Sequence, residues 1–129
     1  MALDLDDRRG DIRGAPPVAA VIAETRPDLV FHFAAQALVR RAYTDPASTY
    51  QTNVLGTLAV LQAARRHGVG AVIVATTDKV YRNDESGRHY REDDELGGSD
   101  PYSASKSCAE LLTRSYRESF LADGSLLVA

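Results

Sequence analysis

The sequence predicts an α/β protein organised as part of a doubly wound parallel sheet. Three observations lead there. Short apolar runs at residues 29–33, in "VGAVIVATT" and in the final "SLLVA" alternate with two long stretches of helical periodicity. Each long stretch opens on an Asp-Pro pair, an N-cap carboxylate followed by a proline suited to a first turn. Strands separated by such helices pair in parallel, through right-handed crossovers.

Residues 1–14 are charged, with Gly10 and Gly14 as punctuation, and offer a short strand or a loop. "APPVAAVIAET" from Ala15 to Thr25 suits a short helix, because Pro16 and Pro17 are tolerated in a first turn. Residues 29–33, behind Pro27 and Asp28, are too few for a helix and read as a buried strand. From Asp45 and Pro46 a helix of about 22 residues is expected: Tyr50, Val54, Leu58 and Leu61 recur at helical spacing, basic residues fill the last turn and Gly68 ends it. "VGAVIVATT" is a continuous β-branched run, expected as a strand buried on both faces. Residues 82–100 are polar and form a long loop, a length that in a compact domain is usually functional or disordered. The second long helix carries Tyr102, Lys106, Ala109, Leu112, Tyr116 and Phe120.

The 129 residues suit one domain. A net charge of −3 gives no reason to expect nucleic acid or an anionic membrane as a partner, and no apolar run approaches the roughly 20 residues a bilayer requires. The single cysteine, Cys108, cannot form an internal disulfide; a reducing cytoplasm is expected, with Cys108 as a small core residue.

In a sheet of this kind ligands gather at the carboxyl ends of the strands, where "HFAAQ" and "TTDK" lie. The chain has thirteen arginines but only two lysines, Lys79 and Lys106. Lys106 stands four residues after Tyr102, on the same helix face. A phenol is a poor base at neutral pH, and a compact ammonium one turn away favours its anion; a surface lysine near a half-buried tyrosine is the alternative. Thr77, Asp78 and Lys79 put a hydroxyl, a carboxylate and an amine at a strand end, a set that can donate a hydrogen bond, deliver a proton and remove one; a solvated strand exit is the alternative. Ala34 and Ala35 let a ligand approach the backbone, or let the following helix pack closely. Arg40 and Arg41 suit phosphate oxygens and solvent equally. His32, inside an apolar run with no metal-type partner spaced nearby, reads as a satisfied core histidine. The opening residues contain no glycine-rich phosphate turn.

Taken together, "GDIR", "PDLVFHFAAQALVRRAY", "TNVLGT", "TTDKVY" and "DPYSASK" resemble the extended short-chain dehydrogenase/reductase family. Within it the similarity is to the nucleotide-sugar 4,6-dehydratases, and Lys79, where other branches carry glutamate, points to the CDP-glucose branch. The resemblance implies a partial Rossmann-like NAD(P)-binding domain over residues 1–129, lacking the first βαβ unit. It implies Tyr102 as the base at the sugar 4-hydroxyl, Lys106 as its activator and a ligand of the nicotinamide ribose, Thr77 as orienting group, Asp78 as acid and Lys79 as the base at C5. Asp11 and Ile12 would line the adenine, Ala34, Ala35 and Gln36 the cofactor phosphates and ribose, and Asn53 would be the asparagine of the central helix. NAD as cofactor, CDP-glucose as substrate and a homodimer through helices 46–67 and 102–120 are likewise implied. The missing glycine motif leads to the expectation of an internal fragment or a misassigned start, binding NAD weakly or not at all and inactive alone. It also leaves the strand at 29–33 as an exposed apolar edge. An epimerase or reductase of nucleotide sugars, and a non-catalytic dimerisation module, are the alternatives.

Overall fold

The computed structural model describes residues 5–83, 85–122 and 124–129. Helix α1 (Ala15–Thr25) leads into strand β1 (Leu29–His32); α2 (Val39–Thr44), α3 (Pro46–Tyr50) and α4 (Gly56–Arg66) precede β2 (Ala71–Val74); α5 (Pro101–Phe120) precedes β3 (Leu127–Val128). The three strands pair in parallel in the order β1-β2-β3, with Leu29 opposite Ala71 and Ala71 opposite Leu127.

The predicted helix from Pro46 is continuous in course but not in type. Residues Gln51–Leu55 form a π-helical segment between α3 and α4. No side-chain periodicity announces a wider turn, which is why it escapes the sequence; such segments recur at functional sites. The short helix α2 was not predicted either, since "VRRAYT" carries no N-cap side chain: its N-cap is Leu38.

Val30, His32, Val72, Val74 and Val128 point to one face of the sheet. There Val72, Val74 and Val128 join Ile22 of α1, Val60, Leu61 and Ala64 of α4, and Tyr116 of α5 in a single core cluster. Among the described residues, no helix covers the opposite face. Leu29, Phe31, Ile73 and Leu127 are all exposed, from 37% at Ile73 to 67% at Leu127. This corrects the expectation that β2 is buried on both faces. The reason is topological: both crossovers advance in one direction across the sheet, so right-handed connections lay their helices on the same side. Strand β1 is the sheet edge, as expected, with Phe31 and Phe33 exposed. Cys108 is exposed on α5, not in the core.

Helix α5 begins where predicted. The Asp100 carboxylate accepts from the backbone N–H of Tyr102 (2.9 Å) and of Ser103 (3.0 Å). Asp100→Ala is expected to lower stability by about 0.5–2 kcal/mol in urea unfolding, the usual cost of a lost N-cap; an unchanged midpoint would show that the cap contributes nothing.

Candidate active site

The strand ends and the first turns of α5 converge on Lys106. This lysine is 5% exposed, and its Nζ donates to the carbonyl of Ala75, one residue past β2, at 2.7 Å. A long apolar stem laid along the core brings the amine to the carboxyl end of the sheet. Burial pulls its pKa below the ordinary lysine value, and the Glu110 carboxylate partly offsets this. Tyr102 lies one turn earlier on α5, half-buried.

His32 ends β1 beside it. The imidazole is 6% exposed and its Nε2 lies 3.0 Å from the Thr57 hydroxyl. That hydroxyl spends its one proton on the Asn53 carbonyl at 2.7 Å, so Nε2 carries the hydrogen between them. Burial, and then the Lys106 ammonium, push the His32 pKa down from 6.5 to about 4. The unfolded chain therefore binds a proton between those values that the folded one refuses. The His32 contribution is complete above pH 6.5 and is lost as pH falls through about 4. It amounts to about 3 kcal/mol. His32→Gln, which keeps a donor for Thr57, is expected to flatten urea-derived stability across that window; an unaltered slope would assign it to other groups.

Asp78–Val80 form a short 3-10 turn beyond β2, with Thr77 as its N-cap. Thr77 Oγ1 donates to Asp78 Oδ1 at 3.0 Å and accepts from the Lys79 N–H; Lys79 Nζ stands 3.6 Å from Asp78 Oδ1. The Thr77 bond, with the Lys79 ammonium second, holds the Asp78 carboxyl below its ordinary pKa. Both charged side chains remain largely exposed. They open onto a cavity of about 440 Å³ whose walls include Tyr81, Tyr90 and Gly98. The rings of Tyr81 and Tyr90 stack at 5.0 Å, and an antiparallel bridge joins Tyr81 to Leu96. Gly98 lies so close to α5 that a Cβ there would fall 2.2 Å from that of Ser103.

A second depression, about 580 Å³, is bordered by Asp11, Ile12, Ala34, Ala35, Gln36 and Arg41. Segments far apart in sequence thus meet on one surface. Ile12 docks on the central helix, where a Cβ on Gly56 would stand 2.7 Å from its Cδ1. Asp11 is exposed, and the guanidinium of Arg13 holds its carboxyl well below the usual range. Ala34 and Ala35 offer exposed backbone flanked only by methyl groups. These residues fit a nucleoside laid against small side chains and an acidic group, although no glycine-rich cradle borders the depression.

Gln36 and Asn53 turn their side chains into the fold. Asn53 is 1% exposed and faces inward: Oδ1 accepts from the Gln36 N–H (2.8 Å), while Nδ2 donates to the Gln36 carbonyl (3.1 Å) and to Ser105 Oγ (2.8 Å). The Gln36 amide closes its own loop through Leu38 and Thr49. Both side chains shape the loop after β1 rather than present themselves to a ligand. Sequence reasoning missed Thr49, Thr57 and Ser105. The signal was there: Thr49, Asn53 and Thr57, four apart, form a polar stripe along one face of the helix, and that face is buried.

The sequence model of the family described as GDP-mannose 4,6 dehydratase matches residues 4–125. The chain belongs to that family. This member of the GDP-mannose 4,6-dehydratase family is 46% identical over 117 residues to the CDP-glucose 4,6-dehydratase of Salmonella typhimurium, a match covering 90% of the chain and 33% of that relative. It is 47% identical over 108 residues to the dTDP-glucose 4,6-dehydratase of Streptomyces antibioticus, covering 84% of the chain and 31% of the relative. The chain spans about a third of the length of the curated relatives it matches. Among solved structures, a double mutant of the dTDP-glucose 4,6-dehydratase from Streptomyces venezuelae with NAD bound superposes with a TM-score of 0.80 at 34% identity, over 92% of this chain and 35% of that one. The UDP-glucose 4-epimerase of Thermus thermophilus in complex with NAD gives 0.79 at 33% identity, over 87% and 36%. The predicted parallel α/β class and the family resemblance both hold. Among the described residues, no helix is long and apolar enough to cross a membrane.

Proposed function

We propose that the residues of this chain carry out the NAD-dependent dehydration of a nucleotide hexose, CDP-glucose to CDP-4-keto-6-deoxyglucose. The observation that carries the reading is the Asp78–Lys79 pair, an acid and a base 3.6 Å apart just beyond the strand end that anchors Lys106. NAD, when bound, would supply the hydride acceptor for C4 and the hydride donor for C6. Tyr102 accepts the proton of the 4-hydroxyl, with the Lys106 ammonium stabilising the phenoxide. Lys79 removes the C5 proton, which the new carbonyl acidifies, and returns it to C5 once the hydride has reached C6. Asp78, protonated, gives its proton to the departing 6-hydroxyl, which leaves as water. A hexose seated here would draw the Thr77 hydroxyl away from Asp78 to the 4-hydroxyl. Loss of that bond raises the Asp78 pKa, the direction an acid needs.

Asp11, Ile12 and the backbone of Ala34 and Ala35 would hold the adenosine end of the cofactor. Residues 1–129 form one partial NAD(P)-binding domain, and two copies pair through the helical stretches at 46–67 and 102–120, covering the exposed Leu55, Leu111 and Phe120.

The test is a chimaera in which this chain replaces the matched third of the Salmonella enzyme. It should turn CDP-glucose over within about tenfold of the intact host, a cost of about 1.4 kcal/mol. A folded, NAD-binding chimaera with no turnover would refute the assignment. Asp78→Asn in an active chimaera should abolish water loss while partial hydride transfer persists; the alternative of an epimerase would leave it indifferent.

A further inference from the structure

One buried hydrogen-bond chain joins the two halves of the site. Ser105 is 0% exposed and sits between Tyr102 and Lys106 in sequence. Its Oγ accepts from Asn53 Nδ2 at 2.8 Å and donates to the Tyr102 carbonyl at 2.7 Å. The directions are forced. An amide NH₂ only donates, so the single serine proton must go to Tyr102. A backbone N–H only donates, so the Asn53 oxygen must be the atom facing Gln36 N. The second Asn53 proton goes to the Gln36 carbonyl, which completes the count. One asparagine, in the π-helical segment, therefore clamps both main-chain groups of Gln36 and reaches α5 through one hydroxyl.

We propose that Ser105 is a positioning residue: through Asn53 it sets the spacing between the loop at Ala34–Gln36 and the Tyr102–Lys106 turn. Its mechanistic meaning rests on the function proposed above, because a proton acceptor on α5 works only if it is held in register with a cofactor lying on that loop. An alanine there would leave one Asn53 hydrogen and the amide's orientation unsupported, in a space closed to water. The Gln36 N–H, on the other side of Asn53 from Ser105, would feel the change through the same amide.

Amide hydrogen exchange followed by NMR on the chain itself decides the geometry. Ser105→Ala should lower the protection of the Gln36 N–H about tenfold, the effect of weakening one buried hydrogen bond. The amides of Val72 in β2 and Leu61 in α4, outside the chain of bonds, should keep theirs. Unchanged protection at Gln36, or a fall shared equally by Val72 and Leu61, would overturn the proposal. Should Ser105→Ala not fold, the unaltered protein answers: both side-chain protons of Asn53 must exchange slowly, and fast exchange of either refutes the clamp. In an active chimaera, Ser105→Ala should lower kcat several-fold with little change in KM for CDP-glucose, whereas equal kcat to the parent would overturn the positioning role. A chimaera dead before any substitution refutes the functional reading alone, since the exchange measurement still decides the clamp.

Discussion

Phenylalanine at position 102 is expected to lower kcat by about 10²- to 10⁴-fold in the Salmonella chimaera, the range a positioned general base contributes. The fold should be indifferent to the change. The α5 cap is made by backbone N–H groups of residues 102 and 103 on the Asp100 carboxylate, and the phenolic oxygen takes no part in it. Tyr102 is half-buried, so a ring of the same shape fills its place. The loss should therefore appear in kcat with KM for the nucleotide sugar and affinity for NAD nearly unaltered, the pattern of a group that acts in the transition state. A comparable drop in melting temperature, or a variant retaining more than about a tenth of the parent rate, would remove Tyr102 from the chemistry.

The parts of this site that were legible in the sequence are those whose chemistry is local. Asp100 and Pro101 announce α5 because a cap and a first-turn proline act within three residues, and the structure starts the helix there. Lys106 stood out because lysine is scarce in this chain, and its amine does reach the strand ends. What was not legible depends on contacts across the fold. The inward turn of Asn53 needs Gln36 and Ser105, which lie 17 and 52 residues away. The π-helical segment that carries it leaves the apolar spacing of Tyr50, Val54 and Leu58 looking like ordinary helix. The bare face of the sheet is a further case. Leu29, Phe31 and Ile73 are apolar enough to be read as core, and only the order and direction of the crossovers exposes them.

Lys106→Met separates catalytic from structural value more sharply than any other substitution. At neutral pH the native fold holds an ammonium that is almost wholly removed from water, with one neutral carbonyl as its bonded partner. Burial of such a charge is unfavourable, which is what the depressed pKa records. Methionine fills the stem's path, and the exposed Ala75 carbonyl it abandons can turn to solvent. The fold should therefore be unchanged, or gain up to about 1 kcal/mol, as sites that trade stability for activity do. Turnover in the chimaera should nevertheless fall by about 10²-fold or more, because the proposed phenoxide would then form without the support of a nearby cation. The pH dependence supplies a second signature. Above its depressed folded pKa the native lysine sheds a proton that the unfolded chain keeps until about 10.5. Parental stability accordingly rises with pH across that interval, and the methionine variant must lack the rise. Urea titrations at alkaline pH measure it directly. If the variant instead loses several kcal/mol, or follows the parent through the alkaline range, Lys106 holds the helix to the sheet and its proposed part in the chemistry fails.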